Sequence, residues 1–204
     1  MNAIALKGLP LTGARSKNVE ATESAMWVYG VIAFCVLHIP LALLLHRSSL
    51  LSTVHALATF AVGVWWALTS PEKPLRVACV GAYITGSEVL WRMTESAVFW
   101  EFGKYAVSAI FLIAIFRSGR VKGPVLMWAF FLLLVPSALL TVAEAPAAEA
   151  RGHLSFGMSG PFAMVVAAWF FSQIKISIED MRRILIAACA PIVGIATIAF
   201  FGVY

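Results

Sequence analysis

Apolar side chains run along the chain in long stretches that short polar segments interrupt. A helix needs about 20 such residues to cross about 30 Å of hydrocarbon. Seven stretches reach that length, and the pattern therefore predicts seven membrane-spanning helices. Their approximate ranges are 25–45, 50–69, 75–94, 97–116, 124–142, 156–174 and 184–203. The preceding residues, 1–24, have no early apolar core, which favours a polar cytoplasmic segment over a cleavable signal peptide.

The composition agrees with this pattern and excludes a soluble globule. Hydrophobic residues make up 61% of the 204 positions and charged residues only 12%, and the mean hydropathy is +0.90. A soluble domain is about half apolar and a quarter charged, and one of this size could not bury so much apolar surface. The predicted fold class is an all-α, polytopic transmembrane helical bundle over residues 25–204.

The basic residues predict the orientation of this bundle. Lys and Arg number 15 against 10 Asp and Glu, giving a net charge of +5. They lie in short loops between the apolar stretches, a pattern that orients membrane proteins, so we expect no nucleic-acid partner. With the N-terminus in the cytoplasm and the C-terminus in the periplasm, eleven lie on the cytoplasmic side and four on the other. The eleven are Lys7, Arg15, Lys17, Lys73, Arg76, Arg117, Arg120, Lys122, Lys175, Arg182 and Arg183, and the four are Arg47, Arg92, Lys104 and Arg151. The positive-inside rule thus favours a multi-pass protein of the bacterial inner membrane.

Charged residues are concentrated in the turn between the third and fourth stretches. Residues 86–105 read GSEVLWRMTESAVFWEFGKY, and we call this segment the charged elbow. Its charges are Glu88, Arg92, Glu95, Glu101 and Lys104. Glu88 follows Arg76 by twelve residues, about 18 Å of helix, and so lies short of the far edge of the hydrocarbon layer. Ionisable groups at such depth usually face a partner or a water-filled cavity.

Their spacing predicts a polar seam between the two helices. Glu88 lies level with Lys104, and Arg92 lies level with Glu101, while Glu95 has no evident partner. One interpretation is a pair of ion pairs that lock a helical hairpin. The other is a site for an anionic or polyhydroxyl ligand. In that site Arg92 would donate hydrogen bonds to a phosphate group, because its planar guanidinium can bind two oxygens at once. The two interpretations are compatible.

A second polar segment, residues 151–161, includes the start of the sixth stretch. Gly157, Gly160 and Pro161 predict a loop or half-helix, with Arg151 and His153 on the outer side. The alternative is an ordinary helix start capped by Ser159. The letters GMSG also match the GxSG motif of rhomboid proteases, but no histidine follows His153 to activate the serine.

Two histidines allow a cofactor hypothesis. His38 and His55 lie at similar depths in the first two stretches, where two such rings could ligate a haem. The alternative, which we favour, is a pair of residues that form hydrogen bonds between helices. We therefore expect no cofactor, and no HExxH motif indicates a metal site.

Two runs resemble a known family. GAYITGSEVLWRMTESAVFWEFGKYAVSAIFLIAIF and LSFGMSGPFAMVVAAWFFSQIKIS are similar to the N-terminal half of O-antigen ligase/polymerase-type membrane proteins, over roughly residues 25–204. The resemblance implies transfer of a glycan from an undecaprenyl diphosphate carrier at the periplasmic face, with no metal. It places Arg92 and Lys104 near the entrance for the diphosphate. The other residues that we expect to bind the substrate are Glu88, Glu95, Glu101 and Arg151.

The departure from that family concerns catalysis. Its essential arginines and histidine lie mainly in later spans and a late periplasmic loop, to which nothing here corresponds. We therefore expect either a missing C-terminal half or a partner subunit, and His153 is the one weak candidate for a catalytic base. The expected partners are a polyprenyl diphosphate-linked glycan and membrane lipids. The second hypothesis is a non-catalytic seven-span subunit of an envelope transport or assembly complex.

Overall fold

The computed structural model describes residues 12–119 and 123–201, and describes side chains from Met26 onward except at residue 148. Over these ranges the fold is all-α, with eight helical segments. They are α1 (Thr12–His46), α2 (Ser49–Thr69), α3 (Pro74–Met93), α4 (Phe102–Ser118), α5 (Val125–Leu133), α6 (Val135–Glu144), α7 (Ala147–Ser172) and α8 (Ile178–Phe200). Helices α5 and α6 together form one apolar stretch that is interrupted only at Leu134. Pro136 follows in the first turn of α6, where its missing N–H costs no helical hydrogen bond.

Within the described ranges, five helices are long and apolar enough to cross a membrane. They are Met26–His46, Ser49–Thr69, Val125–Glu144, Glu149–Ser172 and Ile178–Phe200. The chain is therefore a multi-pass helical membrane protein. The other two predicted spans, 75–94 and 97–116, correspond to α3 and α4. They fall outside this set because α3 carries three charged side chains and α4 has only 17 residues.

Contacts between α3 and α4 show that the two helices run antiparallel. The ring of Phe111 lies 2.5 Å from the position that a Cβ atom on Gly81 would occupy. The carboxylate of Glu88 lies 3.0 Å from the corresponding position on Gly103. Later residues of α3 thus meet earlier residues of α4. The same pattern joins α2 to α3 and α5–α6 to α7.

Helix α7 lies parallel to α4. Ser159 contacts Glu101 near the start of α4, and Phe170 stacks on Phe111 about three turns later, with ring centroids 4.3 Å apart. The C-terminal end of α3 and the N-terminal ends of α4 and α7 therefore meet at one end of the bundle. We call this the elbow end.

Helices α3 and α4 form the centre of the bundle. Their buried side chains include Ile84, Trp91 and Ile110. The other helices surround them and leave many large apolar side chains exposed, and neither α5 nor α6 has a buried residue. In a membrane protein such an apolar surface faces lipid, whose tails are as apolar as the side chains.

Two predicted boundaries are wrong. Helix α4 begins at Phe102 rather than near residue 97, because residues 94–101 form an irregular loop. Helix α7 begins at Ala147 and continues unbroken through residues 151–161, so this segment is neither a loop nor a half-helix. Ser159 is accordingly buried within the helix instead of capping it. A proline is tolerated inside such a helix because neighbouring groups can satisfy the freed backbone carbonyl.

Some predictions fall on residues outside the described ranges. The polar N-terminal segment 1–24 is described only from Thr12, where α1 begins. Arg120 and Lys122 of the predicted cytoplasmic set are likewise outside, as are residues 202–204, which include the end of the last predicted span.

Candidate functional site

The loop between α3 and α4, residues 94–101, is anchored by α2. The hydroxyl groups of Ser52 and Thr94 lie 2.6 Å apart and form a buried hydrogen bond. The backbone N–H of Ala97 donates to the hydroxyl of Thr53 at 2.8 Å. Because these bonds come from a different helix, they fix the loop relative to the bundle as well as to its own ends.

Arg92 is held by three contacts within the charged elbow. Its guanidinium forms an ion pair with Glu88, one turn earlier on α3. The same Nη2 group donates to the carbonyl oxygen of Trp100 at 3.1 Å. The guanidinium carbon lies 4.0 Å from the centroid of the Trp100 ring, a distance typical of a cation–π contact. Arg92 therefore joins the end of α3 to the loop that precedes α4.

Glu101 joins α4 to α7. Its Oε2 atom accepts a hydrogen bond from the Ser159 hydroxyl at 2.9 Å and forms an ion pair with Lys104. The Lys104 ammonium also lies 5.7 Å from the centroid of the Phe156 ring on α7. The second carboxylate oxygen, Oε1, is buried without a hydrogen-bond partner.

The observed ion pairs differ from the predicted ones. The predicted positions along the two helices agree with the antiparallel contacts. Glu88 lies beside Gly103, next to Lys104, and Arg92 lies beside Trp100, next to Glu101. However, each charge pairs along its own helix, Arg92 with Glu88 and Lys104 with Glu101. Residues three or four apart on one helix are neighbours, so these pairs form without bridging two helices. Gly103 has no side chain and occupies the position opposite Glu88, whereas Lys104 is one residue further round α4 and reaches α7.

An open cleft with a volume of about 1170 Å³ lies at the elbow end. One wall is formed by the loop and the first turn of α4, and the others by the end of α6 and the start of α7. The polar and aromatic lining residues are Phe99, Trp100, Glu101, Tyr105, Arg151 and Ser155. The remaining lining is apolar. The cleft thus combines one carboxylate, one guanidinium and three aromatic rings.

A smaller cavity of about 150 Å³ lies behind the loop. Its lining includes Glu88, Arg92 and Trp91. Phe99 and Trp100 line both this elbow cavity and the open cleft, so the loop forms the partition between the two. A movement of the loop would therefore change both volumes together.

The structure places the other predicted site residues separately. Arg151 is exposed and lines the open cleft on the face of α7 that also carries Ser155. His153 is exposed and lies off that face, two positions from Arg151, and it is not among the residues that line the cleft. Glu95 is exposed in the loop, with a φ of 53°, and its carbonyl oxygen accepts a hydrogen bond from the Ser49 hydroxyl. The predicted set is therefore brought together at one end, without His153 entering the cleft.

The two histidines considered as haem ligands belong to a hydrogen-bonded chain. The hydroxyl of Tyr83 lies between the rings, 3.1 Å from the Nε2 atom of His38 and 3.1 Å from that of His55. The indole N–H of Trp91 donates to His55 Nδ1 at 2.9 Å, and His38 Nδ1 lies 2.8 Å from the carbonyl oxygen of Phe34. All four ring nitrogens have protein partners, an arrangement that matches interhelical hydrogen bonding.

Only one arrangement of protons satisfies this chain with neutral rings. Trp91 can only donate, so His55 Nδ1 accepts and His55 carries its proton on Nε2. That proton is donated to the Tyr83 oxygen, and the Tyr83 hydroxyl then donates to His38 Nε2. His38 therefore carries its proton on Nδ1 and donates it to the Phe34 carbonyl oxygen. The two histidines are opposite tautomers.

Sequence reasoning missed several residues of the site. Trp100 and Tyr105 line the cleft, and Tyr83 bridges the two histidines, but aromatic residues are frequent throughout the chain and these carry no distinguishing spacing. Ser159 was considered as a helix cap or a nucleophile. In the structure its hydroxyl is buried and donates to Glu101.

Comparison with protein-family models, curated proteins and solved structures gives no match. In the described part of the chain, no group of three or more His, Cys, Asp or Glu side chains has the arrangement of a metal site. The hypotheses on function therefore depend on the geometry of the elbow end and on the resemblance of the two quoted runs.

Proposed function

We propose that the elbow end binds a polyprenyl diphosphate-linked glycan. In this proposal the chain is the membrane portion of a glycan ligase or polymerase at the periplasmic face of the bacterial inner membrane. The observation that carries it is the open cleft, whose lining includes the exposed Arg151 together with aromatic rings and one carboxylate. A diphosphate requires cationic donors, and an amphipathic carrier requires an apolar wall beside them.

The distribution of basic side chains supports this orientation. Among the residues with described side chains, the end opposite the elbow carries Lys73, Arg76, Arg117, Lys175, Arg182 and Arg183. The elbow end carries Arg47, Arg92, Lys104 and Arg151, of which Arg92 and Lys104 are in ion pairs. By the positive-inside rule, the opposite end lies in the cytoplasm and the cleft opens to the periplasm.

Catalysis would require a group that accepts the proton of the attacking hydroxyl and cations that stabilise the departing diphosphate. The cleft supplies the cation Arg151 and the carboxylate of Glu101. His153 lies off the cleft-lining face, which removes the geometric support for its role as a base. A partner subunit or a further segment would then complete the catalytic group, as the resemblance implies.

The test is a binding measurement on the purified full chain in detergent. The probes are undecaprenyl diphosphate and undecaprenol, which share the same hydrocarbon chain and differ in the charged headgroup. We expect the diphosphate to bind at least tenfold more tightly, as one charge-assisted interaction of about 1.5–3 kcal/mol would give. Arg151→Gln should remove most of that preference.

The matched control is Arg117→Gln, an exposed arginine at the opposite end of the bundle. This variant changes the net charge by the same amount and should retain the preference for the diphosphate. Equal binding of the two probes by the unmodified chain contradicts the proposal. So does an equal loss in both variants, because it would indicate general attraction between charges.

The second candidate is a non-catalytic membrane subunit in which the elbow is a structural lock. The observation in its favour is that the Nη2 group of Arg92 already binds Glu88 and the Trp100 carbonyl within the chain. Arg92→Gln and Arg92→Lys, made in the full gene, separate the candidates when membrane protein level and surface glycan are measured together. Normal level with lost glycan supports the site, whereas loss of both supports the lock. Normal glycan in both variants excludes a diphosphate role for Arg92.

A further inference from the structure

Glu101 has a free carboxylate oxygen in a place where such a group is costly. It is the most deeply buried charged residue in the described part of the chain, with 4% of its surface exposed. Its Oε2 atom has two partners, Lys104 and Ser159, whereas its Oε1 atom is buried and has none. A buried acceptor without a donor loses its bonds to water and gains nothing in return, so an unpaired atom of this kind requires an explanation.

The surroundings of Glu101 indicate what kind of donor would complete it. Glu101 lines the open cleft next to Trp100 and close to Tyr105. The ring of Tyr105 is 39% exposed, and it packs against Phe99 with ring centroids 5.8 Å apart. A ligand that reaches Glu101 from the cleft would therefore pass over aromatic faces.

The charge balance selects a neutral donor. The negative charge of Glu101 is already compensated by Lys104, so a second cation at Oε1 would leave an excess positive charge in a largely buried place, which is costly. A hydroxyl group donates one hydrogen bond and adds no net charge. A sugar ring offers several hydroxyl groups together with apolar C–H faces that can pack on aromatic rings.

We propose that Glu101 Oε1 accepts a hydrogen bond from a sugar hydroxyl of the carrier-linked glycan, with the sugar packed against Tyr105. Glu101 thereby acts as a specificity residue for the saccharide, and Arg151 acts on the diphosphate. This inference rests on the proposed function, and divides the cleft into a saccharide subsite beside α4 and a diphosphate subsite beside α7. A hydrogen bond to a charged acceptor contributes about tenfold or more to affinity.

The experiment compares undecaprenyl diphosphate with the same carrier bearing N-acetylglucosamine or galactose, on the purified full chain in detergent. The measured quantity is the ratio of the two dissociation constants, which isolates the effect of the sugar. We expect at least one sugar-bearing carrier to bind about tenfold more tightly than the bare diphosphate. Glu101→Gln should reduce that ratio to about threefold or less, since a neutral amide oxygen accepts a weaker bond.

Ser159→Ala is the matched control for a purely structural role. It removes the hydrogen bond from α7 to Oε2 and the 3.5 Å contact between the Lys104 ammonium and the Ser159 hydroxyl, and it removes no atom of Glu101. If Glu101 acted only by joining α4 to α7, Ser159→Ala would lower the sugar ratio as much as Glu101→Gln does. We expect it to retain the ratio. Tyr105→Ala provides a second variant that leaves the Glu101 bonds intact, and should also lower the ratio, so the proposal is testable even if Glu101→Gln fails to fold.

The outcomes separate this inference from the proposed function. If the unmodified chain binds the bare diphosphate no better than undecaprenol, the diphosphate site is refuted, and this inference with it. If the diphosphate preference is present but neither sugar strengthens binding, only the saccharide subsite is refuted. It is also refuted if Glu101→Gln and Tyr105→Ala both retain the sugar ratio, or if Ser159→Ala abolishes it.

Discussion

The hydrogen-bonded chain through Tyr83 gives a prediction that can be worked out bond by bond. Tyr83→Phe removes one oxygen and leaves the shape of the ring unchanged. That oxygen accepts from His55 and donates to His38, each at 3.1 Å. The variant therefore loses two hydrogen bonds between helices, and it leaves one ring N–H and one ring nitrogen lone pair without partners.

The expected cost follows from these two bonds. Hydrogen bonds between helices within membranes contribute about 0.6 kcal/mol each on average. A buried polar group left unpaired costs about 1–3 kcal/mol. His38 and Tyr83 line an apolar groove beside α1 and α3, where water is scarce. We therefore expect Tyr83→Phe to lower the free energy of unfolding by about 1–3 kcal/mol.

The assay is equilibrium unfolding in detergent micelles with increasing SDS, followed by circular dichroism. Thr85→Val is the matched control, because it also removes a hydroxyl from α3. The Thr85 hydroxyl donates only to the Gly81 carbonyl oxygen of its own helix, at 2.9 Å. Its replacement should change stability by no more than about 0.5 kcal/mol. An equal effect of the two substitutions would show that the interhelical bonds contribute nothing.

The proton arrangement gives an independent check on the same reasoning. Nitrogen NMR of the histidine-labelled protein should show His55 protonated on Nε2 and His38 protonated on Nδ1. In Tyr83→Phe the signal of His55 Nδ1 should persist as an acceptor, because its bond from Trp91 is unchanged. The same tautomer in both rings of the unmodified protein would refute the deduced chain of donors.

Two further pairs of substitutions test how the helices pack and begin. Gly86→Ala would place a Cβ 2.9 Å from the carbonyl carbon of Ala188 on α8, and should cost about 1–3 kcal/mol in SDS unfolding. Gly157→Ala, with no atom within 4 Å, should instead be neutral or stabilising by up to about 1 kcal/mol, and a loss as large as that of Gly86→Ala would contradict the packing. Ser177→Ala removes the cap of α8, whose hydroxyl accepts from the Asp180 N–H at 3.1 Å, and should lower thermal stability by about 0.5–2 kcal/mol. Ser177→Thr keeps the hydroxyl acceptor, and should lower thermal stability clearly less than Ser177→Ala does.

The sequence was sufficient for the fold class because hydrophobicity acts along the chain. A stretch of about 20 apolar residues is recognisable without knowledge of its neighbours, and five of the seven predicted spans satisfy that criterion in the structure. The depth of a charge within a helix also follows from counting residues, which is why the levels of Glu88 and Arg92 agree with the observed contacts on α4.

The sequence did not determine where the irregular segments lie. The glycines and proline of residues 151–161 predicted a break, yet α7 is continuous there. The predicted turn between the third and fourth stretches is a longer loop, residues 94–101, in which the Ser52 hydroxyl binds the side chain of Thr94 and the Thr53 hydroxyl accepts from the backbone N–H of Ala97. Local propensities are weak compared with such interhelical bonds, and those bonds come from residues more than 40 positions away.

The site likewise depended on tertiary structure. Composition and spacing identified Arg92, Glu101, Lys104 and Arg151 as candidate ligand-binding residues, because charges within an apolar segment are unusual in any sequence. Only the parallel packing of α7 on α4 brought Ser159 to Glu101 and left the second carboxylate oxygen unpaired beside the cleft. The chain by itself thus specifies which segments are long and apolar enough to span a membrane, and the position of each charge along its helix. Their partners are decided by the rotation of each helix about its axis, which depends on the packing of all the helices together.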